Sequence, residues 1–504
     1  MKKIFIYLFV LAAGASCKKS FLDTEPTDRF TQDNFWKTRE EAEAALNSTY
    51  AALLHNGLFG SNIPVLYEVA TPNAYNSNNT NGFNNIAQGI HDAANSAIIN
   101  NAWNGAYAGI GRANNLLANL DNVPLDSTLK KRFRAEAQFL RAVFYFHLWN
   151  RYGGAPLITE ATNYETQSTL PRDSAGRLLQ QVVADLDAAA AGLPATYTSA
   201  DKGRATKGAA LALKARALLY AGRWAEAAAA AKAVIDSKTY SLFPDYRALF
   251  YLENEGNAEV IFDIQFRFPE FTHGLDIALD QFNTVAPLPD LVNDYYAKDG
   301  LPIQGSPLYN AQKPYDNRDP RLQQTIIVPG SQFKGAPVVE GQYPQTGYGQ
   351  KKYSVYKDNE KPSLVRADGQ SELNIIWIRY ADVLLTYAEA QNEAAGPDES
   401  VYAAVNAVRK RAGMPDFPTG LNQEQLRREI RHERRIELAG EGAYYFDLRR
   451  WRTAETALPG NLYNVKGAKI GARTFNAGRD YLWPVPSVAI QNNPALTQNP
   501  NYGK

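Results

Sequence analysis

An all-α fold built of paired helices is predicted by three features of this sequence. Apolar residues recur at spacings of three and four along several long segments, small residues crowd the joints between them, and strand-like runs are few and short. Lys130 to Arg151 places Phe133, Ala137, Leu140, Phe144 and Leu148 on one helical stripe. Gly153-Gly154-Ala155-Pro156 then stops the helix. Ser174 to Ala191 carries Leu178, Val182, Leu186 and Ala189 in the same way. Arg204 to Ser237 predicts two helices broken at Gly222-Arg223. There Ala217, Gly222, Trp224, Ala227, Ala231 and Val234 follow the tetratricopeptide hairpin pattern, in which small residues let two helices approach closely. A further pair is predicted at Tyr380 to Ala395 and Glu399 to Ala412, with Gly396-Pro397 between them. The last long helix, Gln423 to Ala439, buries Leu426, Ile430, Ile436 and Leu438.

Two stretches interrupt this rhythm and predict large loop-rich excursions from the helical scaffold. Asn73 to Asn104 contains eleven asparagines in 32 residues, with few aliphatics before Ile98-Ile99. From Glu253 to Lys361, proline, glycine and aromatic residues replace the alanine-rich helices, with short strand-like runs such as Val260-Ile261-Phe262-Asp263-Ile264. Long irregular segments in compact proteins are usually functional or disordered, and this aromatic content argues for order.

The first residues have a purpose of their own. Met1-Lys2-Lys3 is a basic start, Ile4 to Ala15 is an apolar run too short to cross a bilayer, and small residues lead into Cys17. Cys17 is the only cysteine, so no disulfide explains it. Residues 1–16 are therefore expected to be a signal peptide and Cys17 a lipidated N-terminus, although Gly14 stands where leucine is usual. The organisation expected is 17–252 as an N-terminal part with the tetratricopeptide-like pairs and 253–504 as a C-terminal part with the second excursion and the closing helices. The chain carries 53 basic and 52 acidic residues. So balanced a surface offers no field for nucleic acid or anionic lipid, and attachment to a membrane falls to acyl chains.

Catalytic signatures are missing. No nucleophile elbow, phosphate-binding loop, dinucleotide fingerprint or HExxH helix occurs. Five histidines (His55, His91, His147, His273, His432) lie scattered without ligand spacing, so no metal or cofactor is expected. The basic segment Arg427 to Arg452 interleaves its arginines with Glu429, Glu433, Glu437, Glu441 and Asp447 at salt-bridge spacing. That predicts a structural ion-pair network rather than a phosphate-binding face.

A ligand cleft is expected on the excursions, because binding groups concentrate on loops held by a rigid frame. The candidates are Asn56, at a helix end just before the first excursion; Asn73, Tyr75, Asn76 and Phe83 within it; and Tyr343, Tyr348 and Lys351 from the second. Aromatic faces beside amides and a cation suit a sugar, whose C–H face stacks while its hydroxyls hydrogen-bond. Asparagine-rich loops are equally good turn formers, and at this point both readings stand.

Several blocks in order carry a family resemblance: Phe21-Leu22-Asp23 with Pro26, RAEAQFLRAVFYFHLWNRYGGAPL (134–157), Asn317 to Leu322 with its DPRL core, IRYADVLLTYAEAQNEA (378–394) with VNAVRKRAGMP (405–415), IRHERRIELAGEGAYYFDLRRW (430–451), and YLWPVPSVAIQNNPALTQNPNY (481–502). The chain resembles, nearly end to end, the SusD/RagB outer-membrane nutrient-binding lipoproteins of the Bacteroidetes. The resemblance implies a non-enzymatic protein, lipid-anchored in the outer membrane and facing the exterior. It implies capture of oligosaccharides for a TonB-dependent SusC-like transporter, with peptide capture of the RagB type, or a scaffold binding only its transporter, as the alternatives. Lys18-Lys19 depart from the acidic residues that often follow the cysteine in surface-exposed members.

Overall fold

The computed structural model describes residues 35–360 and 369–503. Cys17, the leader and the Phe21-Leu22-Asp23 block lie outside the described residues. Among these, ten helices have eight residues or more: α1 (Arg39–Ala51), α2 (Ala97–Asn119), α3 (Ser127–Tyr152), α4 (Ala175–Gly192), α5 (Lys207–Tyr220), α6 (Trp224–Asp236), α7 (Tyr380–Ala395), α8 (Glu399–Arg411), α9 (Gln423–Glu437) and α10 (Ala443–Arg450). The strands used below are β1 (Ala74–Tyr75), β2 (Val260–Ile264), β3 (Ala286–Pro287), β4 (Ile375–Arg379), β5 (Gly460–Tyr463) and β6 (Lys469–Arg473).

The helices form where the apolar periodicity placed them, and polar side chains fix their starts. Thr38 caps α1 in a capping box with Glu41, and Asn422 does the same for α9 with Gln425. Asp126, Ser174, Thr206 and Asp398 accept backbone N–H groups at the starts of α3, α4, α5 and α8. Phe133, Ala137, Leu140, Phe144 and Leu148 of α3 are all fully buried. Between α5 and α6 the chain turns at Gly222, whose φ of +71° is open to glycine at little cost. Buried Ala209, Ala212, Ala227 and Ala231 then let the two helices close on one another.

Each helix from α2 to α6 packs chiefly on its sequence neighbour, and α6 then packs on α7, which lies 143 residues further along. The second excursion therefore leaves the stack after α6 and returns to it. Its two ends are tied together by β2 and β4, which pair antiparallel with register shifts, so that Ile264 faces Ile375 and Val260 faces Arg379. The main apolar core runs from Ala42 to Leu496 and includes residues of both halves. Among the described residues no helix is long and apolar enough to cross a membrane.

The structure departs from the sequence expectations in three places. Asn100, Asn101 and Asn104 lie inside α2, so the first excursion ends near Ser96, because Ile98, Ile99, Ala102 and Ala106 supply a buried helical stripe that the asparagines mask. Helices α1, α2 and α10 had no counterpart among the predicted helices, apart from the helix end expected at Asn56. Finally, the acids of the Arg427–Arg452 segment do not pair chiefly along their own helix. Glu433 takes Arg321 at 2.5 Å and Arg409 at 2.9 Å, while Glu437 takes Arg321 at 2.9 Å, Arg379 at 2.6 Å and also Arg411. Arg434 meets Asp382 at 2.9 Å and Asp447 at 3.2 Å. The network is structural, as expected, but it is a buried clasp between segments; the pair Arg428–Glu424 within α9 lies at the surface.

Candidate functional site

The two excursions meet. β1 from the first pairs antiparallel with β3 from the second, with Ala74 opposite Pro287 and Tyr75 opposite Ala286. The bond from Leu288 N to Asn73 O, 2.9 Å, extends the pairing. The β5–β6 hairpin closes one side, since a Cβ added at Gly471 would lie 3.4 Å from the Tyr75 ring and 3.7 Å from Leu462. On the other side Asn283 Nδ2 donates to Tyr348 O at 2.9 Å and Gln345 Nε2 donates to Phe282 O at 3.2 Å. Val465 N donates to Thr346 O at 2.8 Å, which joins this loop to the hairpin.

The result is a shelf on which aromatic side chains reach solvent. Tyr75 is half-buried. Phe282 is 57 % exposed and Tyr463 47 % exposed, far more than rings of that size retain in a core. Gln345, tied to the Phe282 carbonyl, is half-buried, and its Oε1 is out of reach of solvent without a hydrogen-bond partner. The exposed ring faces form a surface able to stack on a flat apolar face. Among the described residues no three His, Cys, Asp or Glu side chains converge on a metal position.

A buried cation holds the base of this shelf. Arg473 of β6 donates to the carbonyls of Val69 at 2.8 Å, Ala74 at 2.7 Å and Thr71. Burial lowers its pKa to about 10, so it remains charged at neutral pH. Beneath it Glu68 accepts from Asn73 Nδ2 at 2.8 Å and from the backbone N–H of Gly442 at 2.7 Å. Burial pushes the Glu68 carboxyl up, against those hydrogen bonds.

Of the eight candidates, three face solvent. Tyr75 belongs to the shelf, and Tyr343 is half-buried with its ring against Gly349 and the cluster of Ile327, Phe333, Val338 and Tyr356. Asn56 is exposed and accepts from Ser61 Oγ at 2.9 Å on the wall of a separate open concavity of ≈ 510 Å³, beside Phe271, Thr272 and Gln370. It lies beyond the helical turn that ends at Leu54. The other five are placed in the frame. Phe83 is fully buried with its ring edge-on to Tyr67 at 5.1 Å, and offers no face to a ligand. Asn73 is spent between Glu68 and Arg435, whose Nε donates to its Oδ1 at 3.0 Å. Asn76 is buried in a local turn, accepting from Asn78 N at 2.9 Å and donating to Thr80 Oγ1 at 3.1 Å. Tyr348 is core, its hydroxyl accepting from Tyr315 at 3.2 Å. Lys351 is buried against Asp358 at 2.9 Å. Phe282 and Tyr463, whose rings are exposed, were not among the candidates. The one signal for Phe282 was an aromatic residue flanked by Gln281 and Asn283, a pattern too common to single out.

A stack of paired helices with two ordered excursions, joined where β1 meets β3, defines a helical scaffold carrying large ordered loops. The chain belongs to the SusD family. That family's profile matches residues 269–502, and a second profile, described as starch-binding associating with outer membrane, matches residues 20–219. The SusD-like protein P25 of Formosa agariphila is 25 % identical over 545 residues, which span 99 % of this chain and 98 % of that protein. A SusD-like carbohydrate binding protein from Bacteroides fragilis superposes with a TM-score of 0.84 at 30 % identity, over 92 % of this chain and all of that one. A laminarin binding SusD-like protein superposes with a TM-score of 0.73 at 26 % identity, over 93 % of this chain and all of that one.

Proposed function

We propose that this protein is an outer-membrane lipoprotein that captures oligosaccharides at the shelf formed by Tyr75, Phe282 and Tyr463, and passes them to a TonB-dependent SusC-like transporter. The observation that carries the proposal is the β1–β3 pairing, which brings one ring of the first excursion beside the exposed rings of the second. Relatives named for carbohydrate and laminarin binding support a glycan as the ligand class. The shelf is open, so a chain of sugars can lie across it. Stacking on these rings is the basis of capture, and the role requires neither catalysis nor a cofactor. Anchoring through lipid on Cys17 places the protein at the outer membrane, facing the exterior, where glycans arrive.

The test is a glycan array run beside a peptide array, followed by calorimetry on the best ligand. Tyr75→Ala and Phe282→Ala are each expected to weaken glycan binding about tenfold, about 1.4 kcal/mol, with the melting temperature unchanged. Binding to peptides alone selects the RagB-type alternative. If both variants bind the array glycan as tightly as the parent, the shelf is not the site. Co-isolation of a SusC-like transporter with the full chain tests delivery.

A further inference from the structure

Behind the aromatic frame lies a small cavity of ≈ 60 Å³, walled by rings that include Phe59, Phe146, Trp377 and Phe446. Its polar lining includes several donors that have no acceptor among the described residues. Arg151, in the last turn of α3, is buried yet makes no ion pair with any carboxylate among the described residues. Its Nε donates to Tyr67 Oη at 2.7 Å and its Nη1 to His147 Nδ1 and to His147 O, which leaves Nη2 without a hydrogen-bond partner. Aromatic faces offset part of the charge, with the guanidinium 5.4 Å from the Tyr67 centroid and 5.6 Å from those of Phe446 and Trp483.

The neighbours repeat the pattern. Arg216 donates Nε and Nη2 to Asp382 and Nη2 also to Trp377 O, and its Nη1 is unspent. The Tyr220 hydroxyl and the Asn150 amide also line the cavity and have no protein partner among the described residues. The acids on the wall are already saturated. Asp382 is shared with Arg434, and Glu441 is taken by Arg379 and Lys352. His147 is held neutral, because burial and then the nearby Arg151 and Arg216 push its pKa well below the usual value. Gly442 and Ala443, at the start of α10, complete the wall, with the Gly442 N–H already spent on Glu68.

We infer that this cavity is an anion-binding site that takes a small monovalent anion, chloride or a short carboxylate such as formate, on Arg151 Nη2, Arg216 Nη1, Tyr220 Oη and Asn150. A charge as far from water as Arg151, 4 % exposed, is costly unless it is paired; Asp382 is taken by Arg216 and Arg434, and no carboxylate pairs Arg151 among the described residues. The volume sets the size class. Pockets for drug-sized ligands run to roughly 300–1,000 Å³, so a sugar ring is excluded and a few-atom anion fits. The half-buried Asn150, Tyr220 and Phe446 form the mouth.

The experiment uses the full chain. Its melting temperature is followed against sodium chloride, sodium formate and sodium gluconate at matched ionic strength; gluconate carries the same carboxylate on a body too large for the cavity. Chloride or formate is expected to raise the melting temperature saturably above gluconate. Tyr220→Phe is expected to raise the half-saturating concentration roughly tenfold through loss of one charge-assisted bond, and Arg151→Met to abolish the anion-specific shift. If Arg151→Met does not fold, Tyr220→Phe carries the comparison. Crystals soaked in sodium bromide are expected to show an anomalous peak within hydrogen-bonding distance of Arg151 Nη2. Identical curves in the three salts, an unchanged response in Tyr220→Phe, or the absence of bromide from this cavity overturns the assignment.

Discussion

Replacing Glu437 with alanine tests whether the arginine-rich C-terminal helix is a clasp or a ligand surface. Its side chain is fully buried and takes Arg321 at 2.9 Å, Arg379 at 2.6 Å and Arg411, from three separate segments. Removing one partner of a buried pair costs about 3–5 kcal/mol, because the remaining charge is stranded away from water. Here the stranded guanidiniums keep second partners: Glu433 for Arg321, Glu259 for Arg379 and for Arg411. The lower end of that range, about 3 kcal/mol, is therefore expected. An unfolding entropy of about 2.1 cal/mol/K per residue gives about 1 kcal/mol per degree for 504 residues. The melting temperature should thus fall by about 3 °C, measurable by scanning calorimetry. The exposed pair Arg428–Glu424 is the internal control, since surface pairs contribute about 0–1 kcal/mol. Raising the salt should erase any effect of Glu424→Ala and leave that of Glu437→Ala in place. A Glu437→Ala protein that melts like the parent but no longer binds its glycan would refute the clasp and place a ligand on α9.

Four further outcomes follow from the same physics. Burial raises the Glu255 carboxyl to about 7 and that of Asp263 to about 6, with Asn374 hydrogen-bonded to both. Both folded values exceed the unfolded ones, so the folded state binds more protons between about pH 4 and 7 and stability falls as pH rises through that window; Glu255→Gln should flatten the melting-temperature profile there. Tyr348→Ala should cost about 3–5 kcal/mol of stability as a core truncation, whereas Tyr75→Ala should leave the melting curve in place and change only binding. Arg473→Met frees the carbonyls of Val69, Thr71 and Ala74 and should weaken glycan binding in calorimetry together with stability, because the base of Tyr75 loosens. Cys17→Ala should release the protein from the membrane fraction after a high-salt wash; retention there overturns the lipid anchor.

Most of the helical body was legible because periodicity is a local property. The stripe Phe133, Ala137, Leu140, Phe144 and Leu148 can be seen in any window of the sequence, and the helix ends follow from nearby caps such as Ser174 and Asn422. What pairs over distance was not legible. Nothing in Val260–Ile264 names Ile375–Arg379 as its partner, and nothing in α6 announces that α7 will return to it. Glu433 and Glu437 show the same limit. Their spacing suggested partners one helical turn away, yet burial selected Arg321, Arg379, Arg409 and Arg411 from other segments, where a dry environment makes the attraction stronger.

The site was half legible for a related reason. Loop length and composition picked out the two excursions that the structure joins, but a sequence does not reveal which face of a loop reaches solvent. The asparagines show this most clearly. Asn84 donates to the carbonyls of Asn76 and Asn78, Asn85 donates to Asn95 O at 2.6 Å, and Asn79 bridges Asn84 and Asn85, so these amides shape the loop itself. A polar side chain in a loop without regular hydrogen bonding satisfies nearby backbone groups first, since leaving them unpaired is costly. An amide becomes available to a ligand only where the backbone around it is already paired. At Tyr75 that pairing is supplied by β3 and by Arg473, two contacts more than 200 residues away in sequence. The exposed ring is therefore a product of the whole fold, and it is the rings, once the frame has absorbed the amides, that remain at the surface.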